Sequence, residues 1–345
     1  MTEKQRELWI DVAKGFSILF VVMGHSGDVT ANHYLSWFRM PLFFLLSGLV
    51  FKPVDPVRFG GWAIRRTKGL MTPYFAYGLL IAVILAGATL DVRGLAESVA
   101  RLLYGGLALT GPFGVFWFIT CLLVTQLVFG YLTRFALRTQ LIIVAACYIV
   151  AQIIAISPLR SVNMPWNADV ALLAMAYYAL GYYGKRWIPL IIRRLDMLPL
   201  LILISAAVFY ADYSGVYTYT LNMKYKDYSG LLPDLAIPAV LSLTVCALVY
   251  WAVQILPLRL MADLGRNTIA IMYLHLPVNY GLKAVLGIDY GIVWFTLAGV
   301  LLPLFAAVGL RRSPLLAKLY LGHSGSGPKP ALYRDQTSGA ASAGK

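Results

Sequence analysis

The first hydrophobic stretch of this chain holds residues that seldom stand in hydrocarbon. In Asp11-Val-Ala-Lys14-Gly-Phe-Ser-Ile-Leu-Phe-Val-Val-Met-Gly-His25, ten residues separate Lys14 from His25. On an α-helix an offset of eleven is about three turns, so both side chains point to nearly one face, roughly 16 Å apart along the axis. Asp11 lies three residues before Lys14 and close to that face. Ionisable groups are costly inside a bilayer, so this face is expected to look into a bundle interior or a watery cavity. The chemistry such a set suits is proton transfer, since imidazole takes a proton from a hydroxyl near neutral pH. His25 also reads as an ordinary core histidine. Two features favour chemistry: Gly24 and Ser26 leave the backbone beside it open to close approach, and it shares a face with Lys14 and Asp11.

Further candidates follow along the chain. Arg39 precedes Met40-Pro-Leu-Phe-Phe-Leu-Leu-Ser-Gly48 in the second apolar stretch. A buried arginine there wants an anion to stabilise, and the competing reading is a side chain snorkelling to the interface. A second intramembrane histidine, His275, stands in Tyr273-Leu-His-Leu-Pro277, where the proline is expected to break the helix. With Arg39 it is a candidate for steadying an oxyanion or contacting an acceptor. Arg65, Arg66 and Lys68 form a basic cluster before Pro73-Tyr74, fit either to grip phosphates or to anchor the chain by the positive-inside rule. His33 and His323 read as ordinary.

These residues must be positioned by membrane helices. Of 345 residues, 60% are hydrophobic and 13% charged, against about a quarter charged in soluble domains. The fold class expected is an all-α polytopic bundle. About ten transmembrane helices are read at 8–26, 34–51, 69–90, 114–133, 140–156, 168–184, 197–212, 235–255, 267–284 and 291–310, each near the length needed to cross. The stretch Leu95–Leu109 reads as an interfacial or re-entrant piece. The net charge of +14 comes from Lys and Arg concentrated in alternate loops. That is a topology signal with both termini in the cytoplasm, and it argues against nucleic acid as a partner. The membrane-embedded domain is read as 1–310, and 311–345 as a cytoplasmic tail, disordered after Leu321. The first span reads as retained, not as a cleaved leader. The loop 213–234 carries Tyr213, Tyr217, Tyr219, Tyr225 and Tyr228, suited to sugar stacking or to an interfacial aromatic belt. Cys121, Cys147 and Cys246 read as small core residues, and no metal is expected.

Taken together, Lys14-x10-His25, Val21-Val-Met-Gly-His-Ser26, Met40-Pro-Leu-Phe-Phe-Leu-Leu-Ser-Gly48, Arg65-Arg66 with Pro73-Tyr74, Phe116-Trp-Phe118 and Tyr273-Leu-His275 resemble the acyltransferase-3 membrane proteins. Within that family the chain resembles the fucose 4-O-acetylase-like branch, and the resemblance runs over about residues 8–310. The family usually has arginine where this chain has Lys14. The resemblance implies an integral inner-membrane O-acetyltransferase of bacteria. It would carry an acetyl group from acetyl-CoA to a sugar hydroxyl of an exopolysaccharide, a lipopolysaccharide or a polyprenyl-linked precursor, beside the machinery of polysaccharide synthesis. His25, Lys14 and Asp11 would then be catalytic, Arg39 and His275 would face the oxyanion or acceptor, and Arg65, Arg66 and Lys68 would hold the donor. Two other classes use the same features: a flippase of lipid-linked sugars, and an assembly subunit of an export complex.

Overall fold

A computed structural model describes residues 3–322. The helices are α1 (Glu3–Met23), α2 (Val29–Ser36), α3 (Arg39–Val50), α4 (Phe59–Thr89), α5 (Val92–Tyr104), α6 (Trp117–Leu132), α7 (Leu137–Ile156), α8 (Ala168–Tyr183), α9 (Ile188–Arg193) and α10 (Met197–Tyr213). A two-residue ladder follows, β1 (Leu221–Asn222) with β2 (Asp227–Tyr228), and then α11 (Pro233–Ile255), α12 (Arg259–Arg266), α13 (Thr268–Leu286), α14 (Gly291–Leu310) and α15 (Pro314–Leu321). The protein is an all-α membrane bundle. Six of the described helical segments are long and apolar enough to cross a bilayer: Pro56–Thr89, Gly111–Leu132, Leu137–Ile156, Pro233–Ile255, Thr268–Leu286 and Gly291–Leu310, with Met197–Tyr213 a shorter apolar helix.

The expected second span, 34–51, is two helices instead of one. Asp28 caps α2 by accepting from the Ala31 amide at 2.7 Å, and the chain breaks at Phe38 (φ −137°, ψ −18°) before α3 begins. With twelve residues, α3 is about 18 Å long and cannot cross alone. It is almost wholly buried, because glycines let it meet α8 backbone to backbone. A Cβ on Gly48 would overlap the Tyr178 carbonyl, and one on Gly181 would overlap the Leu45 carbonyl. The helix expected at 69–90 begins ten residues earlier, at Phe59, and runs through Pro73. The basic cluster therefore lies on α4 itself, not in a loop before it. Pro277 does not break α13 either. It removes only the amide that the Tyr273 carbonyl would have accepted.

Leu95–Leu109 contributes the amphipathic α5, whose Glu97 pairs with Arg93 and Arg101 at 3.5 and 3.6 Å on the exposed face while Leu102 is buried against Gly78 of α4. The end of the expected tail begins with α15, packed on α4; residues from 323 onward, His323 included, lie outside the described residues.

The tyrosine-rich loop folds inward as the β1–β2 hairpin. Lys226, in the left-handed region at φ 54°, closes its turn. The Lys226 ammonium lies 2.6 Å from the Asp169 carboxylate of α8 and 2.7 Å from the Val162 carbonyl, with both charged side chains 2% exposed. Asp234, at the start of α11, accepts from the Ser229 and Gly230 amides at 3.1 and 2.9 Å and from Gln152 of α7 at 2.9 Å. The loop is thus fastened to three helices by polar contacts that hydrocarbon cannot replace.

Candidate active site

The residues of interest gather around two cavities, one at each end of α3. At the first, α1 has ended at Met23 and the chain continues through a turn to His25. The imidazole Nδ1 of His25 lies 2.7 Å from the Val21 carbonyl oxygen. A carbonyl can only accept, so Nδ1 carries the proton and the neutral ring holds its lone pair on Nε2. His25 is only partly buried and lines a cavity of about 420 Å³ with Asn32, Arg39, Trp117, Lys224 and Tyr225.

His275 of α13 comes within 5.3 Å of His25, ring centre to ring centre. Its Nδ1 is also tied to a carbonyl one turn back, that of Ile271, at 2.9 Å. Its Nε2 is buried and has no hydrogen-bond partner among the described residues. Arg39, the first residue of α3, is 8% exposed. Its Nη2 donates to Asn32 Oδ1 at 2.9 Å, and its Nη1 is buried without a partner among the described residues. A Cβ at position 24 would overlap that guanidinium, so glycine there is what allows the cation to lie across the end of α1. Gly24→Val is expected to force the guanidinium off Asn32 and to cost about 1–3 kcal/mol by overpacking. Thermal unfolding in detergent checks this, and an unchanged melting temperature would mean that Arg39 swings freely aside.

Lys224 reaches this cavity from the hairpin. Its Nζ donates to the Leu109 and Gly114 carbonyls at 2.7 and 3.0 Å, and burial lowers the ammonium to about 8.

The second cavity, about 640 Å³, opens at the other end of α3 and is lined by Lys14, Lys52, Arg58, Arg65 and Arg66 together with Gln126 and Tyr178. The one acid in its lining, Asp55, is engaged by the Val57 amide at 2.9 Å. Arg66 donates through Nε to Gln126. Five cations around one acid make a cavity shaped for a polyanion.

The structure therefore separates what one helical face had joined. Lys14 serves the basic cavity and His25 the other. Asp11 lies beside the basic end without lining it: its carboxylate is 4.0 Å from Lys14 Nζ and 3.0 Å from Arg266 Nε of α12. Lys68 stands two residues, about 200°, round α4 from Arg66 and does not line the basic cavity. Arg39 and His275, by contrast, do join His25. The residues that sequence reasoning missed are Asn32, Lys224, Lys52, Arg58 and Gln126. Only Lys224 carried a signal, as one of two lysines in a tyrosine-rich loop otherwise poor in cations.

Attack of a hydroxyl on a carbonyl carbon calls for a proton acceptor and a cation near the developing charge, and the lining of the histidine cavity includes an imidazole, His25, and a guanidinium, Arg39. No curated protein and no solved structure matches the sequence. The acyltransferase domain of the acyltransferase-3 family matches residues 7–312, which takes in every residue of both cavities, and the chain belongs to that family.

Proposed function

We propose that this multi-pass membrane acyltransferase is an O-acetyltransferase of the fucose 4-O-acetylase-like kind. Acetyl-CoA binds in the basic cavity from the cytoplasm, and a sugar hydroxyl of a surface polysaccharide or a lipid-linked glycan is acetylated in the histidine cavity, on the far side of a bacterial inner membrane. In this reading about ten segments are embedded and both termini are cytoplasmic. The observation that carries it is the pair of cavities at the two ends of α3: one ringed by five cations, the other holding a partly exposed imidazole beside a guanidinium whose Nη1 has no partner among the described residues.

In the chemistry, Nε2 of His25 removes the acceptor's proton as its oxygen bonds to the thioester carbon. The oxygen of the tetrahedral adduct takes a hydrogen bond from Nη1 of Arg39. Collapse of the adduct breaks the carbon–sulfur bond, and the departing thiolate receives a proton, so that one ester and one thiol replace one thioester and one alcohol. In a second version His25 Nε2 attacks first and holds the acetyl group as an acyl-imidazole. Label that stays on the protein when acceptor is omitted distinguishes the second version from the first.

The donor ends in phosphates, and Lys14, Arg65 and Arg66 are the groups that would hold them. Arg65→Ala is expected to raise KM for acetyl-CoA about ten-fold with kcat nearly unchanged, since a lost charged hydrogen bond is worth about 1.5 kcal/mol and the residue does not reach the reacting carbon. The reading as a whole is tested with membranes holding the protein, radiolabelled acetyl-CoA and a crude lipid-linked glycan extract. Base-labile label in the glycan supports it, and none from any extract, with folded protein present, overturns it.

A further inference from the structure

The hairpin that closes the histidine cavity alternates in a telling way. From Leu221 to Lys226, four side chains are buried: Leu221 is 1% exposed, Met223 2%, Lys224 8% and Lys226 1%. Leu221, Met223 and Lys224 line the cavity from these buried positions, and Asn222 and Tyr225 line it as the two more accessible side chains of the hairpin. Lysine is seldom buried unless paired, and here two of them are spent as anchors. Lys224 is held by the carbonyls of Leu109 and Gly114, ahead of α6, and Lys226 by Asp169 of α8 and the Val162 carbonyl. A loop that needed only to join α10 to α11 would not bury two ammonium groups to do so. The anchors fix Tyr225, which lies between them, and the ladder pairing of Asn222 with Asp227 fixes Asn222. Lys224 Nζ also lies 5.6 Å from the centre of the Tyr225 ring, a cation–π distance that restrains the ring.

We infer that Asn222 and Tyr225 are the specificity-determining residues for the acceptor, and that the part of the acceptor they fit is the face and hydroxyl rim of a pyranose unit. A pyranose offers an apolar face of C–H groups and a rim of hydroxyls. The Tyr225 ring, 54% exposed, supplies a flat apolar platform, and the Asn222 amide supplies one donor and one acceptor for the rim. His25 lines the same cavity, so a sugar laid on Tyr225 presents its edge to the imidazole. This rests on the proposed O-acetyltransferase reading, and Tyr225 acts by positioning the acceptor, not by touching the transferred group.

The test pairs two readouts on purified protein in nanodiscs: binding of short oligosaccharides from base-deacetylated bacterial surface polysaccharide, by calorimetry, and acetyl transfer to them. Tyr225→Ala is expected to weaken both Kd and KM for the oligosaccharides about ten-fold, with KM for acetyl-CoA unchanged and Tyr225→Phe near wild type. Unchanged acceptor Kd and KM in Tyr225→Ala would overturn the inference. So would a parallel rise in KM for the donor, or loss of the folded species on gel filtration, either of which makes Tyr225 scaffold. Binding that depends on Tyr225 in a protein that transfers no acetyl group would uphold recognition by the hairpin and overturn the enzymatic reading instead.

Discussion

His25→Ala is expected to abolish the proposed acetyl transfer, by about a thousand-fold or more, in a protein that still inserts and folds. The size follows from what the side chain is placed to do. A positioned general base contributes about 10²–10⁴ in rate, and His25 is positioned twice over: its Nδ1–H is held by the Val21 carbonyl at 2.7 Å, which directs the unprotonated Nε2 away from α1. His275 does not replace it, because that ring is fully buried and does not line the cavity. Folding is expected to survive, since His25 lies beyond the last residue of α1 and is partly exposed. The measurement is label transfer by His25→Ala and His25→Gln membranes matched for folded protein. Activity within ten-fold of wild type in either variant would remove His25 from the reaction.

Asp169→Ala is the substitution expected to damage the fold most. It leaves the Lys226 ammonium, 2% exposed, facing a single carbonyl where it had a carboxylate 2.6 Å away. Breaking one side of a buried pair costs about 3–5 kcal/mol because an uncompensated charge stays inside. Removing both charges is milder, so Asp169→Ala combined with Lys226→Met is expected to recover much of the loss. Thermal unfolding of the two single variants and the double variant in detergent measures this. A double variant no more stable than Asp169→Ala would mean that the pair does not act as a unit. Because Lys226 anchors the hairpin, Asp169→Ala should also loosen acceptor binding.

The helices were legible because hydrocarbon demands long apolar runs, and nine of the ten runs read from the sequence overlie a single helix each. The exception, 34–51, failed for a local reason. Hydropathy does not register the break at Phe38, although Asp28, an N-cap residue ahead of α2, marked a helix start. The early start of α4 was hidden for the opposite reason: residues 59–68 are helical but interrupted by Gly60, Gly61, Arg65, Arg66 and Lys68, and apolar runs report where the bilayer is, not where a helix begins. Within the site, the spacing of Lys14 and His25 put both on one face of a helix but did not show that they line different cavities. His275 and Arg39 were singled out because ionisable groups are rare in such surroundings. Asp169 and Lys226 stand 57 residues apart and meet only through the fold, so no periodicity could have paired them.

The shortness of α3 has an electrical consequence. Cavities of about 420 and 640 Å³, both large enough for water, approach each other from the two ends of a helix only twelve residues long. In the proposed arrangement, with the cavities open to opposite sides of the membrane, a potential that elsewhere falls over roughly 30 Å of hydrocarbon would fall here over about 18 Å, and the local field would be about 1.7 times as steep. An elementary charge carried from one mouth to the other would cross the whole of that field, at about 2.3 kcal/mol per 100 mV. Any step that moved net charge past the septum held by Gly48 and Gly181 would then respond to the membrane potential, whereas transfer of a neutral acyl group alone would not.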